Sequence, residues 1–197
     1  MAEGAVIGPN AILQLLPQIE RIGGEARVAQ MLEEAGIFEV PDGSHMIPEG
    51  DAARLHQALR RDEPDMAAQL ATEAGRATAD YILAHRIPAA VQVILKLLPA
   101  PLAARALSKA IAKHSWTFAG SGAFRVLSPW CFEIGHNPIV HGEHSDTPLC
   151  HWHAAVFTQL YQVLVDLRSV CREVSCCAVL HGEACRFEIT LERQAMS

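Results

Sequence analysis

The sequence predicts an α+β fold. A helical first half over residues 1–114 is followed, over 115–197, by an antiparallel sheet with one long inserted helix, all within a single domain of 197 residues. Three observations carry this. Apolar residues recur near a 3.6 period as far as His114, and a period-two alternation replaces it afterwards. A single stretch inside the alternating half, Cys150 to Leu167, then returns to helical spacing.

The elements follow in order. Ile12, Leu13, Leu15, Leu16 and Ile19 start a first helix near Pro9 or Asn10, which Gly23-Gly24 ends. Val28, Met31 and Leu32 line a second, stopped by Gly36. The segment Phe38 to Met46 is turn chemistry, with Pro41-Asp42-Gly43 supplying a fixed φ and a permissive glycine. A helix from about Glu49 to Arg60 carries Ala52, Leu55 and Leu59 on one face. The next, Pro64 to His85, keeps its period through Met66, Leu70, Ala74, Ala77 and Tyr81, and its many alanines let another helix or a ligand approach closely. Val91 to Leu98 and Leu102 to His114 complete this half. Trp116, Phe118, Phe124, Val126, Trp130, Phe132 and Ile134 then alternate as strands do, with Gly120-Ser121-Gly122 as a turn between two of them. Two strands close the chain: Val170 to Val179, and one with Cys185, Phe187, Ile189 and Leu191 on one face, joined by a hairpin at His181-Gly182-Glu183.

Half of the residues are apolar and 19% are charged, a globular composition. A net charge of -6 opposes nonspecific nucleic-acid binding, which needs a basic surface. The first residues lack the positive region of a secretory signal, so a cytoplasmic location with reduced thiols is expected. The most apolar stretch, Ile87 to Ala104, contains Lys96 and three prolines and cannot be one spanning helix. It reads as a core helix with a proline-bounded end, or as a patch for peripheral membrane contact. No dinucleotide fingerprint, phosphate loop, C-x-x-C pair or nucleophile elbow is present, so no nicotinamide or flavin motif is visible.

What stands out is a concentration of metal-ligating residue types. All six cysteines lie at or beyond Cys131, and His136, His141, His144, His151 and His153 cluster before His181. With a helix starting near Cys150, that residue and His153 share a face. A hairpin centred near His181 sets Cys177 opposite Cys185. Two facing strand thiolates and one at a helix start supply three corners of a tetrahedral metal site. Burial as small hydrophobes is the alternative, and Cys176 alternates with Val174 and Ala178 as a core residue does. Cys131 and Cys171 are assigned to packing or surface. A histidine between Gly135 and Cys150 is also suited to ligate the magnesium of a tetrapyrrole axially.

Three segments carry a family resemblance: WCFEIGHNPIVHGE from Trp130, PLCHWHAAVFTQLYQVLV, and CREVSCCAVLHGEACRFEI. They resemble the 4-vinyl reductase domain of bacteriochlorophyll biosynthesis. The resemblance implies reduction of the 8-vinyl group of a divinyl protochlorophyllide-type pigment, and, from related sensor domains, zinc held by cysteines and a glutamate. Carried across, Cys150 matches the helix-start cysteine and Cys185 the last one. Counting back from Cys185 selects Cys177 as the middle ligand, whereas counting forward from Glu173 selects Cys176; Glu133 is the candidate glutamate. Vinyl reduction needs paired electrons, which a zinc–thiolate site does not supply. The expected role is therefore a tetrapyrrole-binding carrier or accessory, working with other enzymes of the pathway, with the reductase itself as the alternative and a small-molecule sensor or interaction module as a third. The expected pigment pocket lies between the helices around Ala71 to Tyr81 and the sheet, with Tyr81, His151 and His153 as candidate ligand-binding residues. A homodimer is a further expectation.

Overall fold

Turn chemistry and helix periodicity account for most of what the computed structural model shows; it describes residues 4–192. Strand β1 (Val6–Ile7) pairs antiparallel with β2 (Ile47–Pro48), a small ribbon too short for alternation to reveal. Helix α1 (Asn10–Leu13) leads into α2 (Leu16–Glu34), where Gly24 at φ 68° breaks the helical geometry without inserting a loop. The glycine pair thus divides two helical runs, but as a kink inside one element. Helix α3 (Glu49–Asp62) follows, and then α4 (Ala67–His85), which starts three residues after Pro64 because Pro64 to Met66 form a turn. Helices α5 (Ala89–Leu97) and α6 (Ala100–Lys113) are each preceded by a proline, Pro88 and Pro99, as their N-cap.

Beyond His114 the alternation overreads. Trp116 and Phe118 belong to the four-residue helix α7 (Trp116–Ala119), so the Gly120–Gly122 turn joins a helix to a strand. The sheet begins with β3 (Ala123–Ser128), turns at Pro129-Trp130, and returns as β4 (Cys131–Gly135). Helix α8 (His151–Leu164) is the inserted one. Strand β5 (Ser169–Ser175) ends earlier than Val179, and β6 (Ala184–Leu191) closes an antiparallel sheet of order β3-β4-β6-β5. Cys176 to Glu183 form a loop in place of a tight hairpin.

The two halves share one hydrophobic core. Helix α8 packs its Phe157 edge-on against Phe132 and Phe187 of the sheet. Its other side meets α4, where a Cβ added to Gly75 would lie 2.4 Å from the Trp152 carbonyl oxygen and 2.7 Å from Ala155 Cβ. Only glycine permits this approach. The indole of Trp152 adds a hydrogen bond to Thr78 Oγ1 at 3.1 Å. The alanine-rich face of α4 therefore receives a helix, and the space expected to hold a pigment is filled by α8.

Candidate functional site

The site is assembled where the start of α8 meets the end of β5 and the start of β6. Cys150 is the N-cap of α8, Cys185 is the second residue of β6, and Cys176 is the first residue beyond β5. A register shift between Glu173 and Ser175 makes two residues of β5 oppose one of β6. Strict counting across the hairpin therefore fails, and Cys176 rather than Cys177 comes to Cys185. Cys150 Sγ lies 3.4 Å and Cys176 Sγ 3.8 Å from Cys185 Sγ. With Glu173, one donor atom from each of these residues lies within 4.8 Å of every other. All three thiols are buried.

Two groups of donors surround these sulfurs. Asn137 Nδ2 donates to Cys150 Sγ at 3.2 Å, and the Cys177 amide donates to Cys185 Sγ at 3.4 Å. Such contacts are the usual outer support of metal-bound thiolates. Glu173 Oε2 accepts from the Cys150 amide at 2.6 Å, at the start of α8 where the helix dipole favours a carboxylate. Its other oxygen, Oε1, is buried without a hydrogen-bond partner among the described residues. Burial, and then the Cys176 charge, push the Glu173 carboxyl up to about 8. Burial raises the Cys150 thiol, and its neighbouring thiols raise Cys185. Hydrogen bonds from Cys150 and Cys185 hold Cys176 as the thiolate.

A cation fits this arrangement. In a tetrahedral site with metal–sulfur bonds near 2.3 Å, sulfurs stand about 3.8 Å apart, close to the spacing found here. The orphaned Glu173 oxygen supplies the fourth donor. Three thiolates and one carboxylate form a closed set that suits a structural metal.

The other residues singled out from the sequence are placed elsewhere. Glu133, the expected carboxylate, is on the opposite face of the sheet, paired with Arg125 and with Arg186 at 2.9 Å. Each is its cross-strand neighbour, so the ladder Arg125–Glu133–Arg186 follows from register. Arg186 foremost holds the Glu133 carboxyl below its usual range. The Cys177 thiol points away from the cluster, 3.9 Å from the Ile134 and Glu183 carbonyl oxygens. His153 is buried, with Nε2 3.1 Å from the Phe118 carbonyl oxygen, and burial depresses its imidazole to about 4. His151 is half-buried at the start of α8, and Tyr81 lies on α4 with His85 and Arg86 against its ring. None of these three joins the thiols. Glu173 was visible in the sequence only as a landmark for counting; its inward position depends on the β5 register.

The family model of the 4-vinyl reductase (V-4-R) domain matches residues 130–191, the segment on which the sequence resemblance rests. The bacteriochlorophyll synthase 23 kDa chain of Cereibacter sphaeroides is 54% identical over 185 residues, which cover 93% of this chain and 89% of that protein. The chain belongs to the bacteriochlorophyll synthase 23 kDa chain family. A second member, from Rhodobacter capsulatus, is 44% identical over 178 residues, with 89% and 83% covered. The fold itself is shared more widely. An Fe(II) unliganded H-NOX protein mutant from K. algicida superposes with a TM-score of 0.62 over 96% of this chain and 98% of that one, at 10% identity. A Cs H-NOX mutant gives 0.52 over 97% and 100%, at 8% identity. In this family member the domain match takes in all four cluster residues and the whole of α8.

Proposed function

We propose that this protein serves bacteriochlorophyll biosynthesis by binding a protochlorophyllide-type tetrapyrrole, as a carrier or accessory to 8-vinyl reduction. The observation that carries the reading is the 54% identity, over nearly the whole chain, to a protein named for bacteriochlorophyll synthesis. The chemistry of the thiol cluster favours a binding role over catalysis. Zinc is the metal proposed for Cys150, Glu173, Cys176 and Cys185, and it has no redox chemistry. A closed four-donor site leaves no position for substrate; zinc there would tie the start of α8 to the hairpin of β5 and β6. The alternative, that the protein is itself the 8-vinyl reductase, requires an electron donor bound elsewhere.

Mixing the purified protein with magnesium protochlorophyllide tests the reading. A red-shifted pigment spectrum is expected, and an unchanged spectrum at micromolar concentrations would sink it. With NADPH and a divinyl substrate, the protein alone should form no monovinyl product; turnover would establish the reductase instead.

A separate observation favours peripheral membrane contact, on the cytoplasmic side where thiols stay reduced. No acidic residue occurs between Asp80 and Glu133, whereas Arg86, Lys96, Arg105, Lys109, Lys113 and Arg125 all do. This basic run sits in a chain of net charge -6. Val93, Ile94 and Leu97 are exposed on one face of α5, Leu102 on α6, and Trp116 beside them in sequence. Among the described residues no helix is long and apolar enough to cross a membrane. Exposed aliphatics, an indole and basic residues are the composition of an interfacial surface, with each cation contributing about 1 kcal/mol against anionic headgroups. Flotation with phosphatidylglycerol vesicles but not phosphatidylcholine vesicles is expected, lost in Leu97→Asp. A concentration-dependent doubling of mass without lipid, abolished by the same substitution, would assign this face to a homodimer.

A further inference from the structure

The outer face of the sheet carries a feature that the thiol cluster does not use. Next to the Arg125–Glu133–Arg186 ladder, a groove of about 950 Å³ opens between the sheet and two loops. Its floor is a second cross-strand row, Ala123–Gly135–Ala184. None of the three has a side chain beyond Cβ, so three strands spanning about 10 Å present a flat surface. The rim comes from the loops after β4 and β5, which contribute His136, His141 and His181. His136 and His181 have φ of 54° and 64°, and they are the only non-glycine residues with positive φ among those described. Left-handed backbone at a non-glycine residue costs free energy, and such strain concentrates where a side chain is needed in one place.

The electrostatics of the groove are equally specific. Two guanidiniums share one carboxylate, Glu133, whose side chain is only 5% exposed, whereas those of Arg125 and Arg186 are 67% and 46% exposed. One positive charge is left over and faces solvent, in the form suited to a ligand carboxylate. Imidazole, by contrast, suits a metal held at the centre of a macrocycle.

We infer that this groove is the pigment site: a metallated, carboxylate-bearing tetrapyrrole lies flat on the Ala123–Gly135–Ala184 row, with an imidazole from the rim as axial ligand and Arg125 or Arg186 on its carboxylate. The inference rests on the proposed pigment-binding function and adds the location, the orientation and the preference for a metallated ring. It also gives the cluster a purpose, because Cys150 and Cys176 anchor the segments that lead into and out of the rim. Asn137, in the first rim loop, donates to Cys150, and the Ser145 amide donates to the Ala178 carbonyl oxygen of the second.

The test uses magnesium protoporphyrin and metal-free protoporphyrin as probes, with absorbance titration and thermal unfolding of each variant. Ala123→Phe lays a ring across the floor and over Gly135. The position is an exposed strand residue that favours aromatics, so the fold should be retained. Affinity for the magnesium pigment should fall at least about tenfold. His136→Gly and His181→Gly remove an imidazole while relieving the left-handed backbone, so stability should hold or rise. With His141→Ala they form a set, of which at least one member should shift the band of the magnesium pigment while leaving the metal-free pigment unchanged. Arg186→Gln should weaken both pigments. Unaltered affinity and spectra in Ala123→Phe and all three histidine variants, with the parent protein binding normally, would overturn the location while leaving pigment binding intact. Failure of the parent protein to bind either pigment would instead overturn the functional reading beneath it.

Discussion

Glu133 and Glu173 stand on neighbouring parts of the same sheet and have opposite fates. Glu133 faces outward, and two guanidiniums hold it ionised below the usual carboxylate range. Glu173 faces inward beside three thiols, and burial pushes its carboxyl up to about 8. The two faces of the sheet thus have different chemistries: the inner face concentrates desolvated acids awaiting a cation, and the outer face presents solvated charge to a ligand. A strand can do both because successive side chains point to opposite sides. One glutamate is therefore a candidate ligand and the other part of a surface ladder, a distinction that residue type cannot make.

Substitutions at each face sharpen the contrast. Cys185 touches both other thiols, so Cys185→Ser should have the largest effect. About one zinc per chain is expected by elemental analysis of the parent protein and none in the variant, with stability lowered by about 3–5 kcal/mol in chemical denaturation. A metal-free parent protein of equal stability would return the thiols to ordinary packing. Glu173→Gln comes next: zinc affinity should drop at least about tenfold in a competition with a chromophoric chelator, since the fourth donor loses its charge. Equal affinity would remove Glu173 from the set.

Acidity should act through the inner face as well. Cys150, Cys185 and Glu173 all have raised proton affinities, so near neutral pH they carry protons that a metal must displace. Zinc binding should accordingly release protons, and affinity should fall as pH drops below about 8. Calorimetry in buffers of different ionisation enthalpy reads the proton count directly; no release would contradict the protonated cluster. The smallest effect belongs to Glu133→Gln, which loses pairs to two exposed arginines. A cost within about 1 kcal/mol and an unchanged zinc content are expected. Loss of zinc there would erase the distinction between the faces.

Much of this architecture was legible before the fold was known. Helical periodicity located α3 to α6 and α8 to within a few residues, because burial against one core imposes a repeat over many positions. Short elements were not legible. Trp116 and Phe118 alternate like a strand yet lie in a four-residue helix, for which two aromatics are too few to distinguish the periods. Trp130 was counted into a strand and sits in the turn between β3 and β4. The alanines of α4 were readable as a close-approach surface, but the choice between helix and ligand was made by Gly75 meeting Trp152 and Ala155.

The sequence by itself determined the α+β division, the gathering of every cysteine into the last third, and Cys150 and Cys185 as members of one candidate site. Tertiary structure decided that Cys176 completes the thiols and that Glu173, not Glu133, is the carboxylate beside them. The reason is geometric. One extra residue in β5 and an eight-residue loop break the count across the hairpin, and in a sheet a shift of one residue moves a side chain to the other face.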